Sequence, residues 1–145
     1  MTRDNRFEAR APLSIELSID PDATAVRLVR GQIRSLLGDH GWTPAPIDRL
    51  LLGLDEALMN ACLHGGAARR GESVELGIAL HADRVEFDVR DRGPFTPVNG
   101  REAAALPDDD SESGRGLALI HATMDEVRFE PREGGGTRVR LVKRR

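Results

Sequence analysis

Cys62 is the only cysteine in this chain of 145 residues, so no internal disulfide can form. With four scattered histidines beside it, the sequence has no zinc-ligand spacing either. A lone mid-helix cysteine suits a reduced intracellular protein. Lysine is as scarce, Lys143 being the only one, so arginine carries nearly all the positive charge. The 21 basic and 24 acidic side chains leave a formal net charge of -3. That balance argues against a strongly basic nucleic-acid surface and against a polybasic membrane patch. No apolar run approaches the length of a membrane span, and Met1 to Arg10 is polar, without the apolar centre of a signal peptide. A soluble, cytoplasmic protein is expected. The phosphate-binding loop Gly-x-x-x-x-Gly-Lys-Ser/Thr and the six-residue dinucleotide glycine fingerprint are missing. So are the eukaryotic-type protein kinase signatures and the nucleophile elbow of serine hydrolases.

What is present reads as one domain, large enough to bury a core. Residues 1–12 read as a mobile tail and residues 13–145 as the domain. Leu13, Ile15, Leu17 and Ile19 alternate with polar residues, which predicts a half-buried strand. Asp20-Pro21-Asp22 offers a helix start, with Asp20 as N-cap and Pro21 in the first turn. Val26, Val29, Ile33 and Leu36 give that helix its apolar face. After a connection over Gly38 to Pro46, a second helix runs to Gly65-Gly66. Val74 to Leu80 and Val85 to Val89 alternate again, and the short His81-Ala82-Asp83 makes them a hairpin. The stretch 94–113, with three prolines, Gly100 and Asp108-Asp109-Asp110, reads as a lid. A helix follows from Gly114 to Met124, then a closing strand pair around Val127, Phe129, Val139 and Leu141. The expected architecture is α+β: a two-layer sandwich, its sheet mainly antiparallel but mixed, with the helices on one face.

The chemistry concentrates in four short motifs. On the second helix Leu50, Leu51, Leu54, Leu58 and Ala61 form the core stripe, while Glu56 and Asn60 lie one turn apart on nearly the opposite side. Leu52, Met59 and Leu63 form a second apolar strip beside Glu56. A carboxylate and an amide in such company need a partner, since leaving either buried and unpaired costs several kcal/mol, and a divalent cation carrying a phosphate would serve. Asp91-Arg92-Gly93 closes a strand. An ionised Asp there can accept a hydrogen bond from an amino group such as that of adenine, and a glycine lets the backbone approach a flat ring. Ser113-Gly114-Arg115-Gly116-Leu117 precedes a helical run, where free N–H groups and the helix dipole favour an anion. Gly134-Gly135-Gly136-Thr137 is a turn in which only Thr137 carries chemistry. Taken singly, each has an ordinary structural reading.

In order, the four are far more specific. Glu-x-x-x-Asn-x-x-x-His-Gly at Glu56 to Gly65, Asp91-x-Gly93, Gly114-x-Gly116 and Gly136-Thr137 resemble the ATP-site boxes of the GHKL (Bergerat-fold) ATPases. The wording Asp-Glu-Ala-x-x-Asn-Ala, the phrase Ser-Gly-Arg-Gly-Leu-Ala-Leu-Ile and the short length narrow this to a resemblance to the anti-sigma-factor serine kinases of the RsbW and SpoIIAB type. It spans about Leu13 to Val142. The resemblance implies bound ATP and Mg²⁺, with Glu56 as general base and Asn60 as metal ligand. It implies that Asp91, supported by Thr137, holds the adenine amino group and that Gly93 admits the ring. Gly114 and Gly116 would approach the phosphates, and Arg115 would neutralise the γ-phosphate where no lysine is near. One departure concerns the second box, where many relatives carry a second glycine and this chain has Phe95 after Pro94. The implied function is an anti-sigma factor and serine-protein kinase. It would sequester a sigma factor and phosphorylate an anti-anti-sigma (STAS-type) antagonist, acting as a homodimer. The alternative is a non-catalytic module that uses nucleotide only to shape a partner-binding surface. Glu56 separates the two, because binding alone needs no carboxylate beside the metal.

Overall fold

The structure is a computed structural model that describes residues 12–95 and 112–145. Its elements are β1 (Leu13–Ile19), α1 (Ala23–Asp39), α2 (Pro44–Leu63), α3 (Ala67–Arg70), β2 (Val74–Leu80), β3 (Arg84–Asp91), α4 (Glu112–Thr123), β4 (Glu126–Pro131) and β5 (Thr137–Arg144). The strands form one five-stranded sheet in the order β1-β2-β3-β5-β4. Every neighbouring pair is antiparallel. Period-2 alternation decides which face is covered: Val85, Phe87 and Val89 are buried on β3 and Val139 and Leu141 on β5, while Glu86, Asp88 and Arg138 point the other way. Among the described residues the helices lie on the apolar face only. The result is a two-layer α+β sandwich.

α2 is the central helix of the core. Nine of its residues are buried, and its Leu50, Leu54 and Leu58 pack in one cluster with Ile33 and Leu37 of α1, Ile120 of α4, and Phe87 and Leu141 of the sheet. Arg30 donates to Asp55 at 2.6 Å and Arg34 pairs with Asp48, so two ion pairs fix the roll of α1 against α2.

Helix boundaries depart from the sequence reading. Asp22, not Asp20, caps α1, its carboxylate accepting the Ala25 N–H at 2.8 Å. Pro21 therefore stands outside the helix. α1 continues through Gly38 to Asp39, and α2 begins at Pro44 behind Thr43. Pro46 falls inside the first turn of α2, where a missing N–H leaves no bond unmade. At its far end the N–H groups of His64 and Gly65 both donate to the Asn60 carbonyl, at 2.8 and 2.9 Å. Gly66, at φ 74°, then turns the chain through the left-handed region into the short α3, which the sequence reading did not anticipate. The tail assigned to residues 1–12 lies, apart from Pro12, outside the described residues. Most of the lid assigned to 94–113 does too.

Candidate active site

Glu56 and Asn60 stand one turn apart on α2, both half-buried. The apolar strip expected to enclose Glu56 does not do so. Leu52 and Leu63 are 52 % and 57 % exposed, because they sit opposite a core stripe that already fills the inner side of α2. What crowds Glu56 is α4. A Cβ on Gly116 would lie 2.7 Å from Glu56 Oε2 and 3.7 Å from Asn60 Oδ1, so a glycine here lets the backbone sit against both groups without displacing the Glu56 carboxylate. The approach is set lower on the same two helices. A side chain at Gly53 would collide with Thr123, whose hydroxyl instead donates to the Leu119 carbonyl at 2.8 Å. Arg49 donates to the Ala122 carbonyl at 2.9 Å and ties the end of α4 to α2.

The glycines of the third motif sit differently from the expectation. The sequence pattern puts them ahead of the helix, but α4 starts at Glu112 and both Gly114 and Gly116 are helical. Only the first N–H groups of a helix are free, so Gly114 can offer one to an anion, while Gly116 serves close approach. The Arg115 side chain lies outside the described part of the molecule.

Asp91 ends β3 on its inward-facing side, in line with Val85, Phe87 and Val89, and is only 6 % exposed. Gly93 donates its N–H to Asp91 Oδ1 at 2.6 Å. Burial pushes the carboxyl above the ordinary aspartate range, against the opposing pull of that N–H and of Arg70 and Arg132. Gly65 and Gly136 press on it, and Gly93 presses on Gly65. A Cβ on Gly65 would lie 2.7 Å from Asp91 Cγ, one on Gly93 would collide with the Gly65 carbonyl, and one on Gly136 would collide with the Asp91 carbonyl. Thr137 is the register partner of Asp91 across the β3–β5 ladder, and its hydroxyl donates to the Gly93 carbonyl at 3.2 Å.

These groups border one cavity of about 310 Å³, lined by Asn60, His64, Gly65, Asp91, Pro94 and Thr137 with Ala57, Ala61, Leu117, Ile120, Phe129 and Val139 as apolar walls. Apolar walls with one convergent carboxylate fit a flat heteroaromatic ring that donates an amino hydrogen. Asn60 contributes to its α2 wall, and Glu56 stands one turn before Asn60 on the same helix. Among the described residues no cluster of three or more His, Cys, Asp or Glu side chains is placed to hold a metal. Mg²⁺ takes one or two protein oxygens together with waters and phosphates, and the Asn60 amide oxygen on the cavity wall is a donor of that kind. The structure thus brings together Glu56, Asn60, Gly116, Asp91, Gly93 and Thr137. Gly65 and His64 stood in the quoted motif without an assigned role. Phe129 and Val139 were legible as strand residues and Leu117 and Ile120 as part of a helix, but none of the four as a pocket wall.

Residues 19–143 match the histidine kinase-like ATPase domain family. The serine-protein kinase RsbW of Bacillus velezensis is 31 % identical over 133 residues, covering 83 % of this chain and 79 % of that protein. Among solved structures, the RsbU and RsbW domains of Rv1364c from Mycobacterium tuberculosis superpose with a TM-score of 0.66 at 26 % identity, over 90 % of this chain and 32 % of that one. SiaB-SiaC from Pseudomonas aeruginosa shares the fold, with a TM-score of 0.62 at 14 % identity over 88 % of each chain.

Proposed function

Because this chain belongs to the histidine kinase-like ATPase family, alongside the RsbW serine-protein kinases, we propose that it binds ATP in the cavity between α2, α4 and the end of β3 and passes the γ-phosphoryl group to a serine of a partner protein. The observation that carries this reading is a pocket lined by both Asn60 of α2 and the buried Asp91 of β3, with Gly116 packed against Asn60 and the neighbouring Glu56. Asp91 Oδ1 is engaged by Gly93, which leaves Oδ2 to accept the adenine amino hydrogen. The apolar walls exclude water from the ring. Asn60 offers its amide oxygen to Mg²⁺, which when bound would draw charge from the phosphates during transfer. Glu56 takes the proton from the incoming serine hydroxyl, one turn away from that oxygen. Gly114 offers a free helix N–H to a phosphate oxygen, and Arg115 supplies a positive charge beside it.

The partners follow from the RsbW relationship. The chain acts as an anti-sigma factor that sequesters a sigma factor, and its phosphoryl acceptor is an anti-anti-sigma antagonist of the STAS type. It works as a homodimer. The test is incubation of the purified chain with Mg-ATP and a candidate antagonist from the same cell, followed by mass spectrometry. A phosphoserine on the antagonist, absent without Mg²⁺, is the expected result. ATP binding with no phosphoserine on any antagonist that the chain retains would instead mark a non-catalytic binding module.

A further inference from the structure

Gly65 belongs to no helix or strand, yet it fills the corner of the cavity where Asp91 turns into Gly93. It stands so close to the Asp91 carboxyl that an added Cβ would lie 2.7 Å from Cγ and 2.8 Å from Oδ1. Its carbonyl presses on Gly93, where no Cβ would fit. Gly93 in turn donates its N–H to Asp91 Oδ1 at 2.6 Å, so the position of Gly65 bears on where the carboxylate points. On the far side the same turn is held by β5, through the Thr137 hydroxyl on the Gly93 carbonyl and the Gly136 backbone against that of Asp91. On the near side it leans on Gly65. The Gly65 N–H donates to the Asn60 carbonyl at 2.9 Å, where α2 runs out. The Gly65 carbonyl, just past the helix end, takes no backbone N–H among the described residues and accepts instead from Arg70 Nη1 at 2.6 Å.

The local sequence makes that reach possible. Gly66 at φ 74° and Gly71 at φ 65° bound the single turn of α3, and buried Ala67 pins the turn to the core. Arg70 folds back over Gly66, whose missing Cβ leaves it room, since one there would lie 2.6 Å from Arg70 Nη1. Glu72 Oε2, 3.2 Å from Arg70 Nε, holds another edge of the guanidinium. Arg70 does not line the cavity, so it acts on a ligand only through Gly65. We infer that Arg70 is a positioning residue for base selection: by clamping the Gly65 carbonyl it holds Gly65 against Gly93 and keeps Asp91 Oδ2 aimed at the amino group of the base. This rests on the ATP reading of the cavity given above. A planar guanidinium held at two edges restrains a carbonyl in direction as well as distance. Charge works in the same sense, because Arg70 and Arg132 both favour the ionised form of Asp91, and a carboxylate only accepts hydrogen bonds.

The test is calorimetry of the full chain with ATP and with purine riboside triphosphate, which carries a hydrogen in place of the adenine amino group and is otherwise the same. The wild type should bind ATP about 10- to 100-fold more tightly than the analogue, through the amino contact. Arg70→Ala should lose about tenfold for ATP while its affinity for the analogue changes less than about threefold, so the preference collapses. Retained binding of the analogue reports an intact fold, which a merely structural loss would not leave. In the Asp91→Asn background Arg70→Ala should weaken ATP by less than about twofold, because the group it positions is already gone. A wild type that binds both nucleotides equally would overturn the adenine reading, and this inference with it. A wild type that prefers ATP would instead overturn the role of Arg70 alone, leaving the pocket standing, if Arg70→Ala loses both nucleotides alike, keeps the full preference, or adds its whole penalty to that of Asp91→Asn.

Discussion

Replacing Asp91 by Asn isolates the adenine contact from the fold. The carboxylate has two oxygens: Oδ1 accepts the Gly93 N–H at 2.6 Å, and Oδ2 is the one left for ligand. Asn can keep the first bond through its carbonyl, but then its NH₂ faces the adenine amino group and two donors oppose each other. Losing a hydrogen bond to a charged acceptor costs about 1.5–3 kcal/mol, so ATP should bind about 10- to 100-fold more weakly. The fold should not suffer. Burial raises the Asp91 carboxyl, which means the native chain keeps this proton to a higher pH than the unfolded chain, where it leaves near about 3.9. Between those two values the native state binds more protons, so this group's contribution to stability falls as pH rises, and above the native value the penalty is complete. Asn carries no such penalty. At neutral pH D91N should therefore melt at the same temperature as the wild type or higher, and the difference should shrink in acid. Isothermal calorimetry with ATP and melting curves at neutral and acid pH measure both halves. Unchanged ATP affinity would refute the adenine assignment, and a large loss of melting temperature at neutral pH would refute the argument from burial.

Two glycine substitutions should separate chemistry from stability. Gly116→Ala meets only the mobile end of Glu56, so the fold should survive while phosphoryl transfer falls, measured as rate against melting temperature. Gly93→Ala meets the Gly65 backbone, which cannot swing aside, and should lower stability by about 1–3 kcal/mol in urea. Leu54→Ala, at a position 1 % exposed on α2, should cost about 2–5 kcal/mol, and a smaller loss would mean the core collapses around the gap. Cys62 is buried, and burial together with the carboxylates of Asp22 and Asp91 raises its thiol, so a disulfide reagent at pH 8 should label it far more slowly than free cysteine until the chain unfolds.

The strands were legible because their alternation is unbroken: Val85, Phe87 and Val89 face the core, as the sequence implied. The same alternation puts Asp91 inward, a consequence readable from period alone. The hairpin over His81-Ala82-Asp83 was legible too, closed by the His81 N–H on the Arg84 carbonyl at 2.9 Å. Helix ends were harder. Asp20 and Asp22 are equal as cap residues in sequence, and only the bond to Ala25 distinguishes them. Both prolines of Pro44-Ala45-Pro46 suit a first turn, so the sequence did not fix which one opens α2. The outward strip Leu52 and Leu63 was read as enclosure for Glu56, because a helical wheel shows sides but not what lies beyond them. The packing of Gly53 on Thr123, of Gly65 on Gly93 and of Gly116 on Glu56 joins distant segments and leaves no local pattern to find. Those contacts shape the pocket.

If Glu56 moves a proton in a transfer to serine, Glu56→Gln is the substitution of least disturbance, since Gln matches the side chain in size and cannot act as base. The measurement is single-turnover transfer of phosphate from saturating Mg-ATP to the antagonist, beside the ATP dissociation constant. The rate should fall by about 10²- to 10⁴-fold with ATP affinity changed less than about twofold. A transfer rate within a few-fold of the wild type would contradict it.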